Sequence, residues 1–340
     1  MHFRRLPIYL LLDCSESMAG EAIEQVERGM HAMVDELKSD PSALETAWIS
    51  VITFSRYAKQ ETPLTELVQF QPPRLTIRPG TALGTALRLL TDSIGKEVRK
   101  TSATQKGDYR PIVFLFTDGQ PTDEYQAAAA RLRAANPRLA NIYAIGCGPD
   151  VDSDVLRSFT DIVLNLKNMT PEGWRKTFVW LTASVQSTSI ALERGGEGKP
   201  MSLPNMPSDT LEIAPPSSGY RDPRPRQVFL YSWCEKTRQP YLMRFIREEY
   251  GHLYNAAAAH KLDQVETWSG EETSPGVNTD QLQGVPACPY CANPIAAMCY
   301  CGALSCAPLD PNAVVTCPKC NISGTAGPSQ GGFDVRGAEG

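Results

Sequence analysis

Two apolar runs, each ended by a carboxylate, constrain the fold of this 340-residue chain more than any other feature. The first is Leu6-Pro7-Ile8-Tyr9-Leu10-Leu11-Leu12, closed by Asp13. The second is Ile112-Val113-Phe114-Leu115-Phe116, closed by Thr117-Asp118-Gly119. Runs this continuous suit strands buried on both faces of a parallel sheet. Helical spacing follows the first run (Ile23, Val26, Met30, Val34, Leu37) and precedes the second (Leu83, Leu87, Leu90, Ile94, Val98). Further strands are predicted at 48–54, 141–146 and 162–166. Helices are predicted at 123–135 (closed by Asn136-Pro137), at 155–159, and from Thr170-Pro171-Glu172 through Trp174, Phe178, Leu181 and Val185. Alternating units of this kind predict an α/β, doubly wound fold with a mainly parallel sheet and helices on both faces.

In such sheets ligands bind beyond the carboxyl ends of the strands. Asp13, Ser15 and Ser17 lie there, on a tight loop after the first run. A Pro79-Gly80 turn presents Thr81 just before a helix, and Asp118 follows the second run. Two acids and three hydroxyls, completed by water, suit the near-octahedral oxygen shell of Mg²⁺. Helix capping is the competing explanation for the serines, because Ser and Asp accept bonds from free N–H groups before helices.

The three segments together, D-x-S-x-S, Gly80-Thr81 and Thr117-Asp118-Gly119, resemble the metal-ion-dependent adhesion site of von Willebrand factor A domains. The resemblance covers roughly the first 190 residues and implies a Rossmann-like domain. It also implies a metal bound directly by Ser15, Ser17 and Thr81, and partly through water by Asp13 and Asp118. Mg²⁺ is expected, with Mn²⁺ or Ca²⁺ as substitutes. Glu16 stands where many members carry glycine; its side chain either points to solvent or occupies the metal face.

Catalysis is the weaker expectation. Haloacid-dehalogenase phosphatases need a second Asp two residues after the first, and Ser15 holds that position. The chain lacks a G-x-x-x-x-G-K-[ST] phosphate loop, and its four histidines sit in no catalytic motif. A metal held by hydroxyls and few charges stays electrophilic and can accept a partner's carboxylate as its last ligand. A Mg²⁺-dependent phosphohydrolase using Asp13 and Asp118 is kept as an alternative.

The other end of the chain reads differently. Cys288-Pro-Tyr-Cys291 and Cys317-Pro-Lys-Cys320 are two C-P-x-C elements, expected to form one closed four-thiolate Zn²⁺ site. Cys234, Cys299, Cys301 and Cys306 remain either a second zinc site or small hydrophobes in a compact core. Disulfides are the alternative, disfavoured by the paired spacing. Cys14 and Cys147 read as buried structural thiols. The predicted division is residues 1–193, a linker at 194–221 rich in Gly and Pro, a cysteine-rich zinc-ribbon-like β domain at 222–324, and a flexible tail at 325–340.

With these cysteine elements the chain resembles TerY-type proteins of the bacterial tellurite-resistance (Ter) gene neighbourhoods. That likeness implies a non-enzymatic interaction module working with a protein kinase and a PP2C-type phosphatase in stress or defence signalling. Net charge −5 argues against a general nucleic-acid surface. Arg221, Arg224, Arg226, Lys236 and Arg238 with Tyr241 keep nucleic-acid binding by the ribbon as an alternative. No run approaches the ~18 apolar residues of a membrane span, and the start lacks a signal-peptide pattern. A cytoplasmic location is expected.

Overall fold

The computed structural model describes residues 4–102, 106–118, 120–135, 137–148, 151–193, 204–215, 224–248, 251–263, 276–310, 312–327 and 331–336. Two compact units divide near residue 220. Gly119, Asn136, Arg221 and much of the predicted linker lie outside the described residues.

The first unit is a sheet between helices. In chain order its elements are β1 (Leu6–Asp13), α1 (Glu21–Ser39), α2 (Pro41–Thr46), β2 (Ala47–Phe54), β3 (Ala58–Glu66), α3 (Leu83–Glu97), β4 (Ile112–Thr117), α4 (Gln126–Ala134), β5 (Asn141–Gly146), α5 (Ser153–Arg157), β6 (Ile162–Leu166), α6 (Pro171–Glu193) and β7 (Leu211–Ile213). The strand order is β3-β2-β1-β4-β5-β6-β7. The central strands run parallel, and the two edge strands, β3 and β7, are antiparallel to their neighbours.

β1 and β4 are adjacent, with Leu12 opposite Phe116. Both are buried along their whole length, which explains their unbroken apolar sequences. On one face Phe116 stacks on Phe178 with ring centroids 5.4 Å apart and lies 6.1 Å from Trp174, so α6 is anchored by the aromatic residues of its predicted apolar stripe. On the other face Leu83, Leu87, Leu90 and Ile94 of α3 pack on Tyr9, Leu11 and Leu115.

β3 is absent from the sequence expectation. Its residues, AKQETPLTE, are only partly buried and include a proline, as suits an edge strand. The expected linker is corrected in part. Leu211–Ile213 completes the sheet, and Leu211 is buried because it pairs with Leu166.

Among the described residues the second unit is built of β-strands and one short 3₁₀ turn, Thr279–Gln281. Its strands are β8 (Gln227–Trp233), β9 (Pro240–Arg247), β10 (Tyr254–Lys261), β11 (Gly276–Asn278), β12 (Leu282–Gln283), β13 (Ile295–Met298), β14 (Leu304–Ala307), β15 (Val314–Thr316), β16 (Ser323–Thr325) and β17 (Asp334–Arg336). A six-stranded sheet has the order β12-β10-β9-β8-β14-β13. Two small ribbons, β11-β17 and β15-β16, complete the unit. The tail expected to be flexible therefore contains a strand, and Val335 on it is buried in the core with Val228, Leu230 and Phe245. No helix among the described residues is long and apolar enough to cross a membrane.

Candidate metal centres

The parallel register brings the ends of β1 and β4 side by side, so Asp13 and Asp118 leave the sheet at one edge. Hydrogen bonds then link four of the five predicted oxygen groups. Thr117 Oγ1 donates to Asp13 Oδ2 (2.5 Å), and Ser15 N–H donates to Asp13 Oδ1 (2.9 Å). The Ser15 and Ser17 hydroxyls lie 2.9 Å apart, and Ser17 Oγ donates to Asp118 Oδ1 (2.5 Å). All five predicted residues are buried, Asp13 completely. Ser15, at the N-cap of the short 3₁₀ turn Glu16–Met18, makes no side-chain capping bond, so capping does not explain it. Glu16 is fully buried, which removes the solvent-pointing option for its side chain.

Thr81 reaches the same edge, since Ala82 N–H donates to Ser55 O (2.5 Å) just after β2 and Cys14 N–H donates to Phe54 O (2.8 Å), but it stands apart in its bonding. Its hydroxyl is buried and has no hydrogen-bond partner among the described residues. Such a group costs about 1–3 kcal/mol unless something fills its lone pairs. Its backbone is held firmly: Thr81 N–H donates to Thr122 Oγ1 (2.9 Å), and Thr122 N–H donates to Thr81 O (2.9 Å). Gly80 precedes it with φ of 80°, a left-handed conformation that glycine adopts readily.

Asp123 then caps α3 from outside the helix, accepting from Gly84 N–H (2.8 Å), Thr85 N–H (2.8 Å) and Thr85 Oγ1 (2.9 Å). A Cβ on Gly84 would sit 2.4 Å from Glu124 O, so only glycine permits this approach. Sequence reasoning missed Thr122 and Asp123. It placed Asp123 inside the following helix, whereas α4 begins at Gln126.

The electrostatics favour a cation. Burial pushes the Asp13 carboxyl up to about 6, against the opposing pull of hydrogen bonds from Thr117 and Ser15. Cys147 is driven well above its ordinary value by burial and by the charges of Asp118 and Asp13, so it stays a neutral thiol. Two carboxylates and three hydroxyls, one of them orphaned, fit a small hard cation.

The eight cysteines of the second unit group differently from the sequence expectation. One cluster is Cys234, Cys288, Cys291 and Cys306; the other is Cys299, Cys301, Cys317 and Cys320. In each, ligand atoms lie within 4.8 Å of one another. The two C-P-x-C elements thus belong to separate clusters. The reason lies in β14, which pairs parallel to β8 with Ser305 opposite Trp233. The next residues, Cys306 and Cys234, are thereby brought together.

The backbone repeats one device. In each of three turns the first cysteine accepts from the N–H four residues on: Arg238 to Cys234, Ala292 to Cys288, Asn321 to Cys317 (2.8, 2.9 and 2.9 Å). The three donors, Arg238, Ala292 and Asn321, are the non-glycine residues with positive φ among the described residues. Left-handed backbone at Arg and Ala is unfavourable, and its recurrence behind a cysteine marks a functional turn. The turn at Cys234 has Thr237 where the others have their second cysteine, with Thr237 N–H 3.4 Å from Cys234 Sγ. Cys306 takes the missing place, its sulfur 3.5 Å from Cys291 Sγ.

All eight thiols are free. A tetrahedron with Zn–S bonds of about 2.3 Å has edges of about 3.8 Å. The close sulfur pairs, 3.5 Å for Cys299–Cys320 and 3.7 Å for Cys301–Cys317, approach that edge. Burial raises Cys288 and Cys306 and opposes ionisation of Cys234, yet hydrogen bonds from Thr237 bring Cys234 down to about 7. Four thiolates crowded this closely repel one another unless a cation lies among them.

Comparison with known proteins bears on both ends. A family model described as the von Willebrand factor type A domain matches residues 8–173. Another, described as the TerY-C metal binding domain, matches residues 225–340. The chain joins a von Willebrand factor type A domain to a TerY-C metal-binding domain. The A domain is similar to matrilin-3 of Gallus gallus, 27% identical over 151 residues, covering 43% of this chain and 32% of that protein. The chain thus aligns with about a third of matrilin-3. Among solved structures, a von Willebrand factor type A protein from Catenulispora acidiphila aligns over 76% of this chain and 66% of its own, with 14% identity and a TM-score of 0.43. Proximal thread matrix protein 1 from the mussel byssus, described with a zinc-occupied MIDAS motif, aligns over 54% of this chain and 48% of its own, with 20% identity and a TM-score of 0.39. The TerY-C domain contains both thiol clusters.

Proposed function

We propose that this protein is a non-enzymatic, metal-dependent interaction module. In this reading Asp13, Ser15, Ser17, Thr81 and Asp118 hold one Mg²⁺, with Mn²⁺ or Ca²⁺ as substitutes, and a partner's acidic side chain completes its shell. The orphaned Thr81 hydroxyl carries the reading: a buried oxygen on a firmly fastened loop has no hydrogen-bond partner among the described residues, but is useful to a cation. The metal's chemistry here is Lewis acidity toward a carboxylate. The residues around it supply position and burial.

The TerY-C domain, in the same reading, holds two Zn²⁺ ions. Cys234, Cys288, Cys291 and Cys306 hold one; Cys299, Cys301, Cys317 and Cys320 hold the other. The TerY likeness supports a protein kinase and a PP2C-type phosphatase as partners, in a cytoplasmic stress or defence module. The nucleic-acid alternative loses one of its residues, because Tyr241 is fully buried and presents no face for stacking.

A pull-down of tagged protein from a bacterial lysate tests the reading, run with Mg²⁺, with EDTA and with Asp13→Ala. A kinase or phosphatase retained only by the intact protein with Mg²⁺ is the expected result. Equal capture in all three arms removes the oxygen cluster as the docking point. Two zinc ions per chain by elemental analysis are expected on the same sample.

A further inference from the structure

The two thiol clusters differ in how open they are to solvent. Cys234, Cys288 and Cys306 are 0%, 2% and 0% exposed and belong to the core of the six-stranded sheet, beside Val228, Leu230, Tyr241, Met243 and Phe245. In the other cluster Cys301 is exposed, Cys299 and Cys320 are half-buried, and only Cys317 is buried. That cluster is carried by the short turn 299–302 and by the two-stranded ribbon β15-β16, where Val315 is buried but Val314 and Ile322 are exposed. Tyr300, between two of its cysteines, is fully exposed and shields neither.

We propose that Cys299, Cys301, Cys317 and Cys320 form a thiol-oxidation site, at which a peroxide expels the bound metal while the Cys234 cluster retains its own. The inference rests on the two-zinc reading above. The chemistry balances with a peroxide as the oxidant. The Cys301 thiolate attacks the O–O bond, a sulfur–oxygen bond forms, and hydroxide (or alkoxide) leaves. The Cys317 thiolate, 3.7 Å away, then attacks the sulfenic sulfur. A disulfide forms and a second hydroxide leaves, so two thiolates supply the two electrons that reduce one peroxide. Two ligands remain, too few for a closed zinc site, and the metal departs. Cys299 and Cys320, 3.5 Å apart, can consume a second peroxide in the same way. The Cys234 cluster offers only the half-buried Cys291 for the first step and has no exposed sulfur like Cys301, because Cys234, Cys288 and Cys306 are buried.

The test uses the full chain as purified. Zinc content is measured first; hydrogen peroxide is then titrated while a chromophoric chelator reports released zinc. Alkylation and peptide mass mapping locate the oxidised residues. Two zinc ions at the start are required; fewer means that the two-zinc reading fails, and this inference with it. Given two, one is expected to leave at a peroxide concentration about tenfold or more below the other, with disulfides confined to 299, 301, 317 and 320. Release of both together, or first oxidation at 234, 288, 291 or 306, overturns the inference while leaving the two-zinc reading intact. Cys301→His keeps a zinc-binding side chain but removes the attacked sulfur. It is expected to retain two zinc ions and to raise the first-release concentration several-fold. An unchanged concentration refutes Cys301 as the point of attack.

Discussion

The oxygen cluster and the thiol clusters sit on opposite kinds of scaffold. Asp13 and Asp118 are placed by two fully buried strands, and their loop is wired by hydrogen bonds that need no ion. The thiols lie on short turns and small ribbons, with left-handed backbone at Arg238, Ala292 and Asn321. The first scaffold makes a site that a metal can enter and leave without refolding. The second devotes part of its structure to holding sulfur atoms together, so a metal held there would contribute to folding itself.

Removing zinc gives the largest expected effect. A structural zinc site contributes on the order of 10 kcal/mol to the fold that surrounds it. A strong thiol-competing chelator, or Cys306→Ser, is expected to abolish protection of residues 224–336 in hydrogen exchange while β1, β2, β4 and β5 stay protected. Simultaneous loss in both units would break the comparison. EDTA at concentrations that strip only Mg²⁺ is expected to change neither.

Acidity separates the two sites next. The Asp13 carboxyl rises from an ordinary 3.8 to about 6 in the folded chain. Between those values the folded state keeps a proton that the unfolded state releases. Metal-free stability attributable to Asp13 is therefore greatest below pH 3.8 and falls as pH rises through about 6, by about 3 kcal/mol in all. Denaturant melts of wild type and Asp13→Asn without metal should diverge in pH slope over that window. Saturating Mg²⁺ should cancel the divergence, since the cation takes the proton's place. Parallel slopes would show that Asp13 does not titrate in this window.

What the sequence showed, and what it hid, follows the same division. The positions of Asp13, Ser15, Ser17 and Asp118 beyond the strand ends were legible because each follows a buried apolar run within a few residues. The cysteine grouping was not legible, because Cys234 and Cys306 meet only through the parallel pairing of β8 with β14, 72 residues apart by their numbers. The motif C-E-K-T at 234–237 also hid a metal-type turn behind a threonine. Edge strand β3 and strand β7 were missed because partly exposed edges carry little periodic signal.

Support of the oxygen site from behind gives a smaller effect. Asp123→Ala removes three acceptor contacts at the start of α3 and is expected to cost about 1–2 kcal/mol in thermal or denaturant melts. Because Asp123 and Thr122 fasten the Thr81 loop, Mg²⁺ affinity should fall about tenfold as well. Unchanged affinity would mean that the loop holds its position without the cap.

The smallest stability change belongs to Thr81, and it is the sharpest test. Thr81→Val keeps the shape of the side chain and replaces an unpartnered buried hydroxyl with a methyl group. No protein hydrogen bond is lost, so the metal-free domain should be unchanged or up to about 1 kcal/mol more stable. If the hydroxyl exists to bind a cation, Mg²⁺ affinity by calorimetry should fall about tenfold or more in the same variant. Gain of stability with loss of metal is the mark of an oxygen kept for a ligand rather than for the fold. Loss of stability with unchanged metal affinity would make Thr81 an ordinary core threonine, and would erase the contrast between a scaffold that waits for its ion and one that depends on it.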